Sequence, residues 1–328
     1  MLACFIFFVV GVVIGKFIFV GKSSPILSDA LTPSDNMQEI RSSGYKFISP
    51  LLECEVGNTQ NRLNGLAPVR EKIEEFVAKE EKGGLLIDAA VYFRDLNNGP
   101  WFAVNQGDDF SPASLLKLPV LMAYFKKAET DPSLLTKKVE YKGDVELLSQ
   151  IVKPEETIEV GKKYSIEELL ERMIVYSDNA ALTVLEENIE PERIDKITLD
   201  LGIETATTTT PMDYMSVRGY AGLFRILYNA SYLEKDLSEK ALSILSRTQF
   251  SNGIVAGVPK AITVSHKFGE RQLPDGVMQL HDCGIVYHPR NPYLLCIMTR
   301  GTDINVLAKT IAQISSITYT GIENTLVK

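Results

Sequence analysis

A serine acts as a nucleophile when a base lies beside its hydroxyl and hydrogen-bond donors await the oxyanion. Ser114-Leu115-Leu116-Lys117 meets the first condition on spacing. Ser111-Pro112-Ala113 precedes it and an apolar run to Phe125 follows, which predicts a helix beginning near Pro112 with Ser111 as its cap. Residues i and i+3 share a helix face, so the Lys117 ammonium is expected beside the Ser114 hydroxyl. Both lie in the first turn, where the helix dipole favours negative charge. Two further stretches hold polar groups of the right kind: Ser177-Asp178-Asn179 and Lys267-Phe268-Gly269. Taken singly, each has an ordinary reading as a cap near a surface lysine, an interhelical turn, or a strand ending in glycine.

The elements that must position these groups are legible in outline. Ala67 to Lys82 places Val69, Ile73, Phe76 and Val77 at helical spacing between charges, and Gly83-Gly84 ends that helix. Leu85 to Leu96 is a β-branched and aromatic run; Asn97-Asn98-Gly99 signals a hairpin and Pro100 to Val104 the returning strand. From Asp131 to Ile203 the text is helical, broken by turns. Ser165-Ile166-Glu167-Glu168 is a capping box opening a helix to Tyr176, and Ala180 to Glu187 is helical again. Thr210 and Pro211 predict the cap and first residue of a helix to Tyr228, and Ser238 to Arg247 is another. Strands follow at Ile262 to Phe268, Gln279 to Tyr287 and Tyr293 to Met298, then a helix over Ile304 to Ile317. The expected architecture is α+β and two-lobed. Two N-terminal and three C-terminal strands form one five-stranded antiparallel sheet flanked by helices, and the middle of the chain forms an all-helical lobe. Ser114 falls at the seam, where clefts form.

The chain's 328 residues, 45% hydrophobic and 23% charged, suit a globular protein with an ample core. A net charge of -8 with no basic stretch argues against nucleic acid as a partner. The three histidines and four cysteines form no metal-ligand spacing, and no cofactor is expected. Cys283 and Cys296 face each other across a hairpin; a bridge is one reading and buried free thiols the favoured one.

Leu2 to Val20 is apolar apart from Lys16 and about the length that spans a bilayer. It is either a retained anchor or a cleaved signal peptide; the missing charged n-region and cleavage site favour the anchor. The expected organisation is an anchor or signal segment over 1–22, a Ser/Pro/Asp/Asn-rich linker over 23–44, and one catalytic domain over 45–328, held off the membrane outside the cytoplasm, or secreted if the segment is cleaved. The flanking Lys16 and Lys22 do not fix the orientation.

Together and in order, the three motifs resemble those of the class A β-lactamases and the related penicillin-binding proteins. The likeness runs from Ala67 to the C-terminus and includes the threonine run Thr207-Thr208-Thr209-Thr210-Pro211 and the strand from His281 to Tyr287. It implies that Ser114 attacks a lactam or peptide carbonyl, with Lys117 as base or proton relay. By the same resemblance Ser177 would pass a proton to the leaving nitrogen, and Lys267 would hold the substrate carboxylate and tune Ser177. Asn179 bonds the substrate's side-chain amide. Beside Gly269, the backbone N–H groups of Ser114 and Glu270 make the oxyanion hole. The expected substrate is a β-lactam, opened through a Ser114 acyl-enzyme. The alternative is a D-alanyl-D-alanine peptidase or slow-deacylating penicillin-binding protein acting on peptidoglycan stem peptides. A scaffold without activity is disfavoured, because Ser114, Lys117, Ser177, Asn179 and Lys267 are all present.

Two departures stand out. Phe268 occupies a position that usually holds a small hydroxyl residue. The loop that carries a deacylating glutamate looks shortened; Glu204 is the nearest candidate base, although a solvated turn residue is its favoured reading.

Overall fold

The two ends of the chain meet in one sheet. The computed structural model describes residues 36–57, 63–97, 99–143, 150–203 and 211–326. In chain order, β1 (Asn36–Arg41) pairs with β2 (Leu51–Gly57), and α1 (Leu63–Lys82) leads to β3 (Leu86–Asp95) and β4 (Trp101–Val104). After β5 (Asp109–Phe110), a 3₁₀ turn over Ala113–Leu116 runs into α2 (Lys117–Ala128). The short strands β6 (Lys138–Glu140) and β7 (Lys163–Ser165) precede α3 (Ile166–Val175), α4 (Asn179–Glu187) and α5 (Pro191–Asp200). Then β8 (Met215–Ser216) pairs with β5, and α6 (Val217–Asn229) and α7 (Lys235–Leu245) follow. The chain closes with β9 (Val264–Gln272), β10 (Met278–Val286), β11 (Tyr293–Gly301) and α8 (Ile304–Leu326).

The main sheet has the order β4-β3-β11-β10-β9, antiparallel throughout. Both faces are covered, so its central strands are apolar without alternation. On β11, Tyr293, Leu295 and Ile297 join Ile73, Ile311 and Ile314 of α1 and α8 in one core. Leu294, Cys296 and Met298 point the other way, into the core of the helical lobe with Leu121, Phe125 and Leu170. Each such side chain, buried completely, contributes about 1.5–3 kcal/mol. The five-stranded α+β architecture with its helical lobe agrees with the sequence reading.

Several local expectations need correction. Ser111 does not cap the Ser114 helix; the turn has no side-chain cap. The N–H and C=O of Ser111 are instead taken up by Gln279 Oε1 (2.9 Å) and His281 Nε2 (2.9 Å), long-range partners that a local motif cannot announce. The helix expected from Pro211 begins at Val217, capped by Ser216, whose hydroxyl accepts from the Gly219 N–H. The residues before it are drawn out by pairing with β5. Asn36–Arg41, assigned by composition to the linker, is a strand because β2 supplies its ladder. The last helix outruns its apolar text: Thr318 is buried, and its hydroxyl donates to the Ile314 carbonyl. Cys283 and Cys296, opposite one another on β10 and β11, form a disulfide and are not free thiols. The capping box at Ser165 and Glu168 forms as expected. The N-terminal segment 1–22 lies outside the described residues, among which no helix is long and apolar enough to cross a membrane.

Candidate active site

Ser114 sits one residue after Ala113, whose φ of 46° is left-handed. A non-glycine residue there costs roughly 1–3 kcal/mol, so the surroundings must hold it. They do so through Ser111, whose backbone is fixed by Gln279 and His281 and whose hydroxyl accepts from Arg271 Nη1 at 3.3 Å. From the other side, the Tyr220 hydroxyl donates to the Leu115 carbonyl at 3.0 Å. Burial pushes His281 down to about 4, so its imidazole is neutral at pH 7. Because it donates from Nε2 to the Ser111 carbonyl, its Nδ1 is the atom that accepts from the Thr299 N–H.

Lys117 and Lys267 reach the same point from opposite walls, and both are fully buried. Lys117 Nζ donates to the Ser177 carbonyl (2.6 Å), Ser177 Oγ (3.0 Å) and Asn179 Oδ1 (2.7 Å). Lys267 Nζ donates to Ser177 Oγ (3.0 Å) and to the Phe268 carbonyl (2.9 Å). Burial pushes Lys117 down to about 7 against the opposing pull of Asp178, Glu270 and Glu186. Burial, then the neighbouring Lys117 charge, pushes Lys267 well below the usual lysine range. Two ammoniums sharing one hydroxyl repel, which favours loss of one proton and makes a neutral amine available as a base.

Ser177 is itself left-handed, at φ 57°. Asp178 locks the turn: its carboxylate caps α4 through the Ala180 N–H (2.9 Å) and accepts from Thr157 Oγ1 (2.9 Å) and the Ile158 N–H (3.0 Å). Asn179 is oriented by its bond from Lys117. On the other wall, β9 is an edge strand and presses against the Ser114 turn. Gly269 makes that approach possible. A Cβ there would stand 3.0 Å from Leu115 Cγ and the Pro112 carbonyl oxygen and 3.1 Å from the Leu115 nitrogen.

The predicted residues Ser114, Lys117, Ser177, Asn179, Lys267, Gly269 and Glu270 therefore line one seam between sheet and helical lobe, while Glu204 lies outside the described residues. Phe268 turns into the core, 3% exposed, with its ring stacked on Phe250 at 4.5 Å and the Lys267 ammonium 4.3 Å from its centroid. Sequence reasoning gave no part to the Asp178 carboxylate, to Gln150, or to Gln279 and His281 as partners of Ser111. Asp178 was signalled by its place before a helix; the others act through contacts distant in sequence.

Chemically, both acceptor sites of the Ser177 hydroxyl are occupied by lysines, which leaves its own proton to donate. Lys117 follows Ser114 by one 3₁₀ turn, and its Nζ is bonded to Ser177 and Asn179. The arrangement is that of an acyl-transfer centre.

Comparison with known proteins agrees. The profile of the family described as "Beta-lactamase enzyme family" matches residues 68–322. A class A β-lactamase from Bacteroides cellulosilyticus DSM 14838 is similar in structure, with TM-score 0.66 and 20% identity over 78% of this chain and 99% of that one. A β-lactamase from Chitinophaga pinensis DSM 2588 gives TM-score 0.67 and 19% identity over 78% and 99%. A mutant of PBP-A, solved as its acyl-enzyme complex with penicillin G, gives TM-score 0.65 and 23% identity over 79% and 97%. No curated protein matches. The profile match and the seam of serines and lysines lead to one conclusion: the chain belongs to the β-lactamase enzyme family.

Proposed function

We propose that Ser114 opens the amide of a β-lactam ring and that the resulting ester is released slowly. The observation that carries this reading is the Ser177 hydroxyl held at 3.0 Å by both Lys117 and Lys267. Neutral Lys117 takes the Ser114 proton as Oγ attacks the carbonyl. The oxyanion is received by the backbone N–H groups of Ser114 and Glu270. As the C–N bond breaks, Ser177 gives its proton to the nitrogen and is reprotonated from Lys117. Lys267 offers its positive charge to the substrate carboxylate.

Hydrolysis of the ester needs a second base. Among the described residues, no carboxylate pairs with Lys117; its three bonds go to Ser177 and Asn179. The likeness to PBP-A, whose mutant was trapped with penicillin G, supports a second reading as a slow penicillin binder or D-alanyl-D-alanine peptidase working on peptidoglycan stem peptides. The apolar Leu2–Val20 supports membrane anchoring and an extracytoplasmic domain beside the cell wall.

Incubation with a fluorescent penicillin, followed by gel over time, tests both readings. We expect a covalent adduct that persists and that Ser114→Ala abolishes. Rapid loss of the adduct, unchanged by Glu204→Ala, would overturn the slow-release account. No adduct in the wild type would overturn the catalytic reading itself.

A further inference from the structure

Glu270 does more with its side chain than its place after Gly269 requires. Its backbone belongs to the edge strand β9. Its carboxylate leaves the strand and accepts from two consecutive amides, Ile151 N–H at 2.9 Å and Val152 N–H at 3.4 Å. The same stretch is fastened to the opposite wall. Gln150 Nε2 donates to the Ser177 carbonyl at 3.1 Å, and Thr157 and Ile158 donate to Asp178. Residues 150–158 thus hang from the Ser177-Asp178 turn at both ends and are tied to β9 through Glu270.

This tie crosses between the two elements that bound the substrate cleft, β9 and the turn bearing Asn179. Charge-assisted bonds to backbone amides are about twice as strong as neutral ones, and a half-buried amide left without an acceptor carries a desolvation cost. Burial raises the Glu270 pKa, while the two amides and then the Lys117 and Lys267 charges pull the other way. Beyond the tie, Val152, Lys153, Tyr176, Phe250, Ser251 and Phe268 line a cavity of about 180 Å³, so Val152 is at once held by Glu270 and a wall of open space.

We propose that Glu270 is a specificity-determining strut: by fixing Ile151 and Val152 to β9 it narrows the cleft beside Asn179, so that the site accepts substrates with small acyl groups and resists bulky ones. The inference rests on the acylation reading above.

The full chain and its Glu270→Ala, Glu270→Asp and Glu270→Gln variants are to be acylated with two probes. One is 6-aminopenicillanic acid, which has no acyl side chain; the other is a penicillin bearing a dimethoxyphenyl group. Intact-mass spectrometry follows the rates. The wild type is expected to favour the small probe by about tenfold or more, and the alanine variant to bring the ratio within about threefold by accelerating the bulky probe. Aspartate keeps the charge but not the reach and should resemble alanine. Glutamine keeps an acceptor at the same reach and should resemble the wild type. Amide exchange at Ile151 and Val152 should quicken about tenfold in the alanine and aspartate variants only. Faster exchange with an unchanged probe ratio would overturn the specificity role. Unchanged exchange would overturn the strut. Absence of any adduct in the wild type would sink the acylation reading instead, while exchange would still report on the tie.

Discussion

The two walls of the cleft are built on different principles. The β9 wall is positioned by a ladder: every residue from Val264 to Gln272 has a partner on β10, and Lys267 and Gly269 inherit their places from that register. The Ser177 wall has no ladder. Its left-handed turn is held by side chains, namely the Asp178 carboxylate, the Lys117 ammonium and the Gln150 amide. A backbone ladder is insensitive to any one side chain but intolerant of crowding. A side-chain-held turn tolerates new neighbours but loses charge balance when a single group is changed. The walls should therefore fail in different ways, the first by displacement and the second by electrostatics.

The largest effect is expected at Lys117, where both walls meet. Lys117→Ala should slow acylation of Ser114 by roughly 10²–10⁴-fold, the range for loss of a general base. The wild-type rate should also carry the lysine's titration. The base is the neutral form and Lys117 is pushed down to about 7, so the rate should be level above that pH. Below it, the rate should fall about tenfold per unit as the amine is protonated. Stopped-flow acylation across pH checks this, and a profile flat through 7 would remove Lys117 from the role.

Gly269→Ala probes displacement on the ladder wall. Two of the three atoms the new Cβ would meet are backbone atoms of Pro112 and Leu115, so the Ser114 turn itself must shift. We expect a loss of about 1–3 kcal/mol in unfolding free energy and roughly 10²-fold in acylation rate from misplaced geometry. Preserved activity with lowered stability would show that the turn moves as a unit with its strand.

The smallest effect on rate, and the sharpest test of the contrast, is Asp178→Asn. Asparagine still caps α4, but its amide nitrogen cannot accept from the Ile158 N–H, so unfolding free energy should fall by about 1–3 kcal/mol. The charge that raises the Lys117 pKa is gone, so the midpoint of the acylation profile should move below 7. A midpoint that stays put would mean that the side-chain-held wall does not tune the base.

The contrast also explains what the sequence made legible. Each of the three motifs is ordinary alone; Ser114, Lys117, Ser177 and Lys267 were readable because the three stand in an order that resembles a known family. The five strands were readable from β-branched runs and turn residues. Contacts that join distant stretches were not. Ser111 looked like a cap because nothing local reveals that Gln279 and His281 would claim its backbone. Phe268 stood out as a departure from a small hydroxyl residue, and nothing local reveals that Phe250 gives its ring a place in the core. The Glu270 carboxylate, the partners of Cys283 and the strand over Asn36–Arg41 were likewise settled by neighbours far along the chain or across a hairpin.

The pairing of β3 with β11 sets a condition on biogenesis. β3 emerges early during synthesis, yet one of its two neighbours is among the last strands to be made. Until Tyr293–Gly301 leaves the ribosome, β3 and β4 form only a two-stranded hairpin backed by α1. The hydrophobic face meant for α8 stays uncovered for the same interval. Long-range pairing of this kind slows folding and leaves strand edges and apolar surface exposed while it lasts. It also means that a chain truncated before β11 has no sheet to fold around, so premature termination yields a substrate for proteolysis and not a partially active enzyme.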